Sequence, residues 1–181
     1  MDQHKIIFTG PVGAGKTTAV NVLSDIPTVT TETWVSDATG ARGGATAPVD
    51  YGILKVGDAE QIHLYGTPNQ DPGQDPTVSK WDALTDGGIG LVLLLDNTRF
   101  DPFADMRSYF KAFQSFIEQT KVVIGVTRMD VNPSPSIEDY YKQLWTMGRN
   151  VPIFEVDARR RDDIALLVQA LLYSLDPGLS G

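Results

Sequence analysis

The chain has 181 residues, 41% of them hydrophobic and none of them cysteine, with a formal net charge of −8. That length supports one domain-sized core, the missing thiols exclude a disulfide framework, a thiolate zinc site and a cysteine nucleophile, and the acidic balance argues against a nucleic-acid or anionic-membrane surface. The acidity is concentrated: residues 50–105 carry ten acidic side chains against Lys55, Lys80 and Arg99.

No run approaches the ~20 apolar residues of a membrane helix; the longest, Ile89 to Leu95, contains Gly90. The first residues show no signal-peptide core, position 2 is Asp rather than the Gly of myristoylation, and Leu179-Ser180-Gly181 lacks a prenylation cysteine. The expectation is a cytoplasmic chain without its own membrane anchor, carried to a membrane or cell pole by a partner where it goes there at all.

Short apolar runs alternate with helix-period segments, the pattern of an α/β domain with a largely parallel sheet. Lys5–Phe8 reads as a strand ending at Gly10, followed by a helix over Lys16–Ser24 that stops before Pro27. Residues 28–50, rich in Thr, Gly and Ala, read as a long loop. Tyr51–Val56 and Gln61–Tyr65 read as two strands joined near Gly57-Asp58. Pro68, Pro72 and Pro76 break regular structure in the next stretch, before a helix over Val78–Leu84. Ile89–Leu95 and Val122–Val126 are continuous apolar strands, as expected when both faces are covered. Between them a single helix is predicted over Phe103–Gln119. A helix over Ile137–Met147, a strand over Ile153–Val156 and an amphipathic helix through Ile164, Leu167, Val168, Leu171 and Leu175 complete the chain. No repeat or linker divides it, so residues 1–181 read as one domain with six strands.

Gly10-Pro11-Val12-Gly13-Ala14-Gly15-Lys16-Thr17 fits G-x-x-x-x-G-K-[ST] between a strand and a helix. Glycines there let backbone N–H groups turn inward around phosphate oxygens, and the helix N-terminus adds partial positive charge. Lys16 is the candidate counter-charge for the β- and γ-phosphates, Thr17 the candidate Mg²⁺ ligand, and Thr18 continues the loop's phosphate contacts. Asp130 follows the strand Val122–Val126 at the sheet's carboxyl edge, where a carboxylate can accept both N1–H and the exocyclic N–H of guanine. Thr127 and Arg128 precede it, and an Arg there can lay its stem and guanidinium along a base. Asp157-Ala158-Arg159 follows the last strand, with Ala158 offering a backbone N–H to the guanine O6.

With these motifs in this order the chain resembles the Ras-like small GTPase superfamily, with a P-loop NTPase fold and a six-stranded mixed sheet flanked by helices. Thr46-Ala47-Pro48-Val49-Asp50-Tyr51 is similar to the end of switch I, and Gly66-Thr67-Pro68-Asn69-Gln70 to switch II. Thr127-Arg128-Met129-Asp130 is similar to [NT]-K-x-D, and Asp157-Ala158-Arg159 to Ser-Ala-Lys. Gly-Pro-x-Gly-Ala-Gly-Lys-Thr-Thr, Asp-Tyr-Gly, His-Leu-Tyr-Gly-Thr-Pro and Val-Thr-Arg-x-Asp look most like bacterial MglA-like GTPases, which are commonly paired with roadblock/LC7-type proteins. The resemblance implies GTP, GDP and Mg²⁺ as ligands, Thr17 and Thr46 on the metal, and Gln70, Thr46 and Lys16 in hydrolysis, Gln74 being the rival to Gln70. It leaves open whether a homodimer completes the site. Three departures bear on hydrolysis: Val12 and Asn69 stand where relatives keep glycines, and Gly66 where many keep an Mg²⁺-supporting Asp. Slow intrinsic turnover follows from them. Arg42, in the Gly-rich switch I region, reads as a solvated loop residue or an arginine finger in cis. His63 reads as structural, and Arg159-Arg160-Arg161 as a solvated run neutralised by Asp162 and Asp163. The acidic stretch covers both sides of switch II and suits encounter with a basic partner surface.

Overall fold

The computed structural model describes residues 4–34, 46–68 and 82–175. Its strands are β1 (His4–Thr9), β2 (Val29–Trp34), β3 (Thr46–Val56), β4 (Glu60–Gly66), β5 (Gly88–Asp96), β6 (Val122–Thr127) and β7 (Ile153–Glu155). They form one sheet in the order β2-β3-β4-β1-β5-β6-β7. β1 pairs in parallel with β4 and β5, as do β5 with β6 and β6 with β7, while β2–β3 and β3–β4 are antiparallel. The helices are α1 (Lys16–Leu23), α2 (Asp82–Thr85), α3 (Pro102–Ala112), α4 (Gln114–Gln119), α5 (Ile137–Thr146) and α6 (Arg161–Leu175).

Successive strand side chains point to opposite faces, and the central strands use both. Ile6, Phe8, Val92, Leu94 and Val123 join a core cluster with Val20 and Leu23 of α1 and Ile164, Leu167 and Leu171 of α6. Ile7, Leu91, Leu93, Leu95 and Ile124 pack on the other face against Met106 and Phe110 of α3, Ile117 of α4 and Tyr140 and Leu144 of α5. Burying each such side chain is worth ~1.5–3 kcal/mol, so the parallel half is held from both sides. Its crossovers bring the loops after β1, β5, β6 and β7 to one carboxyl edge, where ligands of such sheets bind.

The mixed α/β sheet matches the expectation, but it has seven strands rather than six. The added strand, β2, lies inside residues 28–50, where the Thr-rich composition reads as loop. Val29-Thr30-Thr31 are β-branched, and such residues fit a pleated strand. β3 likewise begins at Thr46 rather than Tyr51. Pro48 lies on the part of β3 that extends past β4, where pairing is to β2 alone among the described strands, the setting a proline requires. The expected helix over Phe103–Gln119 is broken at Phe113, whose φ −106° and ψ 18° leave the helical basin while its ring packs in the core. Of the expected helix Val78–Leu84, residues 78–81 and Trp81 lie outside the described residues, and α2 covers the remainder. No described helix is long and apolar enough to cross a membrane.

Candidate functional site

The loop between β1 and α1 is shaped by its glycines. Gly10 has φ +149°, and a Cβ there would stand 2.1 Å from the Leu94 carbonyl oxygen, so only glycine fits. Gly15, at φ +102°, is the N-cap of α1; it supplies no side-chain cap, and the first turn holds no acidic residue. The helix N-terminal N–H groups and their positive partial charge are thus left for an anion. Lys16 is buried, and its Nζ donates to the carbonyls of Gly10 (2.5 Å) and Pro11 (3.2 Å). The ammonium therefore already lies at the loop that would surround phosphate. Val12 is 48% exposed at the rim.

Thr17, the candidate metal ligand, donates its hydroxyl to Asp50 Oδ2 at 2.5 Å. Asp50 sits on β3 opposite Gly66 of β4. A Cβ at Gly66 would lie 3.3 Å from Asp50 Cβ and 3.6 Å from its Oδ2. The Asp50 side chain thus lies directly beside position 66. Asp50 is a candidate site residue to which motif reading gave no role. The signal was available: a hairpin turning at Gly57-Asp58 pairs Val56 with Glu60 and, counted outward, Asp50 with Gly66. A hydroxyl and a carboxylate beside a phosphate loop are the donor set Mg²⁺ takes along with phosphate oxygens and water. Among the described residues no group of three or more His, Cys, Asp or Glu forms a metal cluster.

A cavity of about 300 Å³ opens beside this loop, lined by Gly13, Ala14, Gly15 and Thr18, by Thr127, Arg128, Asp130 and Val131, and by Val156, Asp157, Ala158 and Arg159. All three sequence motifs thus meet at one place. Thr127 is buried and directs its hydroxyl to the carbonyls of Ala14 (3.1 Å) and Leu95 (3.2 Å), tying the glycine loop to the sheet. Arg128 holds φ +61°, and its Nη1 lies 3.2 Å from Asp96 Oδ2, with the side chain half exposed along the cavity. The Ala158 Cβ lies so near Gly15 that a Cβ there would approach it to 2.7 Å, so the loop after β7 rests on the loop between β1 and α1. Asp157 accepts from Arg159 Nε (2.9 Å), Nη2 (2.8 Å) and N (2.9 Å). Those side-chain and backbone bonds hold its carboxyl at about 2, below the usual carboxylate range. Arg159 is pushed up in turn, first by its bonds to Asp157 and in part by the charge of Asp130. One guanidinium thus screens two carboxylates at the cavity wall.

The Thr46 backbone pairs with Trp34 in the β2–β3 ladder. At ~3.3 Å per residue, four residues along β3 separate it from Asp50 by roughly 13 Å. Gln70, Asn69, Gln74 and Arg42 lie outside the described residues. Val131 and Val156 line the cavity without having been singled out. His63 Nδ1 lies 2.6 Å from the Tyr51 hydroxyl with the rings stacked, a structural contact. The arginine run finds partners other than Asp162 and Asp163: Arg159 binds Asp157, and Arg161 binds Asp25 at 2.8 Å.

No protein-family model matches the chain and no curated protein matches it. Solved structures do. A GDP-bound NFeoB point mutant from S. thermophilus aligns at TM-score 0.64 and 15% identity, over 94% of this chain and 62% of that one. The cytosolic domain of L. pneumophila FeoB gives 0.65 and 17%, over 93% and 67%. The FeoB G-domain from Methanococcus jannaschii gives 0.60 and 15%, over 97% of this chain and 99% of that one. The chain shares the fold of these FeoB domains. The chain spans under two thirds of the S. thermophilus protein and nearly all of the isolated M. jannaschii G-domain.

Proposed function

We propose that the chain is a guanine-nucleotide-binding switch, a single domain that binds GTP and GDP with Mg²⁺ and hydrolyses GTP slowly until a partner accelerates it. The observation that carries this reading is one cavity walled by the glycine loop, by Asp130 and by Ala158. Phosphate needs the first, and a guanine selector needs the other two. An ATP-binding P-loop protein has no use for a carboxylate aimed at N1–H and an exocyclic amine.

In this reading Lys16 exchanges the Gly10 and Pro11 carbonyls for phosphate oxygens, and Asp130 accepts from the guanine edge. Thr17 and Asp50 would hold Mg²⁺, with Asp50 doing from β3 what an Asp at position 66 does in many GTPases. Mg²⁺, when bound, neutralises charge on the phosphates. Thr46 would contact the phosphates with the Trp34–Thr46 end of the β2–β3 ladder rearranged. Triphosphate binding would therefore be coupled to that strand pairing, and a partner would read the difference. A roadblock/LC7-type protein is the partner this reading names.

Val12 at the rim obstructs an approaching arginine, and with Asn69 and Gly66 it motivates slow turnover. An arginine finger is worth ~10³–10⁵ in rate. Single-turnover phosphate release with Mg²⁺, alone and with a roadblock-type protein, tests this. The expected result is a slow basal rate that the partner raises, and a basal rate on the order of 1 s⁻¹ would refute it. The second reading, a nucleotide-binding module with negligible hydrolysis, is supported by the altered switch II sequence, with Gly66 and Asn69. It predicts no release with either arm.

A further inference from the structure

Asp130 sits on a poor platform. Residues 128–136 contain no helix or strand, and most of them, Asp130 included, are exposed. Discrimination between bases requires a carboxylate held to within ~0.5 Å, and burial of the loop itself does not provide that. Inside the loop, the Arg128 carbonyl accepts from Val131 N (3.1 Å) and Asn132 N (3.0 Å), which shapes the turn but does not fasten it to the domain.

The fastening comes from the last residue of β5 and the one after it. Asp96 is 4% exposed; its Oδ1 accepts from Thr98 N (2.9 Å) and Thr98 Oγ1 (2.6 Å), and its Oδ2 faces Arg128 Nη1. Asn97 is fully buried. Its Nδ2 donates to the carbonyls of Asn132 (2.7 Å) and Pro135 (3.0 Å), and its backbone N–H donates to Thr127 O (3.0 Å). Asn132 Nδ2 returns a bond to Asn97 O (3.3 Å). The start of the loop is thus held by Asp96 and its far end by Asn97, with Asp130 between them.

The Asn97 amide is itself locked. Its Oδ1 accepts from the hydroxyl of Tyr140 at 2.7 Å, and Tyr140 is fully buried in α5. Burial pushes that phenol up, so it remains a donor. A donor on Oδ1 leaves both amide hydrogens for the two loop carbonyls, and every polar atom of the side chain is used. The loop then runs into a capping box: Ser136 Oγ accepts from Asp139 N (3.2 Å) and Asp139 Oδ2 accepts from Ser136 N (3.0 Å).

We infer that Asn97, oriented by Tyr140, is a specificity-determining positioning residue that holds the Asp130 loop for base recognition. The inference rests on the guanine reading of Asp130 and adds what makes that reading selective. Asn97 is not among the residues lining the cavity; it acts through the loop.

The test measures Mg²⁺-dependent affinities for GDP, ADP and pyrophosphate in the full chain and in Asn97→Ala, Tyr140→Phe and Asp130→Ala. Buried carbonyls left without a donor let the loop shift, and loss of such supporting partners typically costs 10–100-fold. Asn97→Ala is expected to lower GDP affinity at least ~10-fold and compress the GDP/ADP ratio, with pyrophosphate affinity changed less than ~2-fold. Tyr140→Phe removes one hydroxyl from an otherwise intact core; it should give a smaller change in the same direction, about 3-fold, and stands in if Asn97→Ala does not fold. A GDP/ADP ratio left at the wild-type value in both folded variants overturns the inference. So does an equal loss of GDP and pyrophosphate, which marks a merely structural role. A wild-type chain that does not prefer GDP, or an Asp130→Ala variant with an unchanged ratio, overturns the guanine reading itself.

Discussion

The two ends of the cavity are built in different ways. At the proposed phosphate end the surface is largely backbone: glycines at positive φ, and a helix N-terminus without a side-chain cap. At the base end it is side chains, Arg128, Asp130, Asp157 and Arg159, steadied by neighbouring side chains at Asp96 and Asn97. Such a surface tolerates nothing at Gly10, where a Cβ meets a main-chain oxygen, and little at Gly15, where it meets the Ala158 side chain. A side-chain site can be retuned one residue at a time. The first end suits a ligand feature shared by all nucleotides, and the second a feature that differs between them.

The largest effect expected from this contrast is Gly10→Ala. A Cβ 2.1 Å from the Leu94 carbonyl, on backbone at φ +149°, cannot be relieved by a flexible side chain. A stability loss of ~3 kcal/mol or more is expected in urea unfolding, with nucleotide binding lost. Next is Asp130→Asn, which exchanges an acceptor for a donor at the base edge. Guanine affinity should fall ~100-fold and xanthine affinity rise, with pyrophosphate binding unmoved; a parallel loss of all three would erase the distinction between the two ends. Asp50→Asn comes third. It should remove ~10-fold of the Mg²⁺-dependent part of GDP affinity while leaving affinity in EDTA unchanged, and titration calorimetry with and without the metal reads that difference.

The smallest effect concerns Arg159. Asp157 titrates at about 2 against a reference of 3.8. A depressed folded-state pKa stabilises above the unfolded value, and the contribution disappears as pH falls through the folded one. The Asp157–Arg159 pair is therefore fully present above about pH 4 and lost toward pH 2. Arg159→Ala should move the Asp157 titration back into the ordinary carboxylate range, followed by NMR. An unchanged titration would mean that backbone N–H bonds alone hold it.

The same contrast governs what could be read before the structure. Gly10, Gly13 and Gly15 announce themselves because their positive φ favours glycine, Lys16 and Thr17 because they stand at fixed spacing after those glycines, and Asp130 and Ala158 because they follow apolar strands. Asp50 did not, since its role depends on the antiparallel register that sets it against Gly66. β2 was hidden because its threonines, drawn into a ladder, share the composition of a loop. Asn97 lies directly after an apolar strand, yet its partners at 132, 135 and 140 are brought to it only by the fold. The acidic stretch also changes meaning. Asp50 accepts from Thr17, Asp96 faces Arg128, Asp101 caps α3 through Ala104 N, and Asp105 pairs with Arg99. Four of the ten acidic residues therefore have local partners, two of them, Asp50 and Asp96, beside the candidate site.

Competition binding of GDP against ADP to the purified chain in Mg²⁺ tests the central claim most directly. The two ligands share their ribose and phosphates, so any difference belongs to the base end. GDP binding at least ~100-fold tighter is the predicted result. Equal affinities, or tighter ADP binding, would contradict the account.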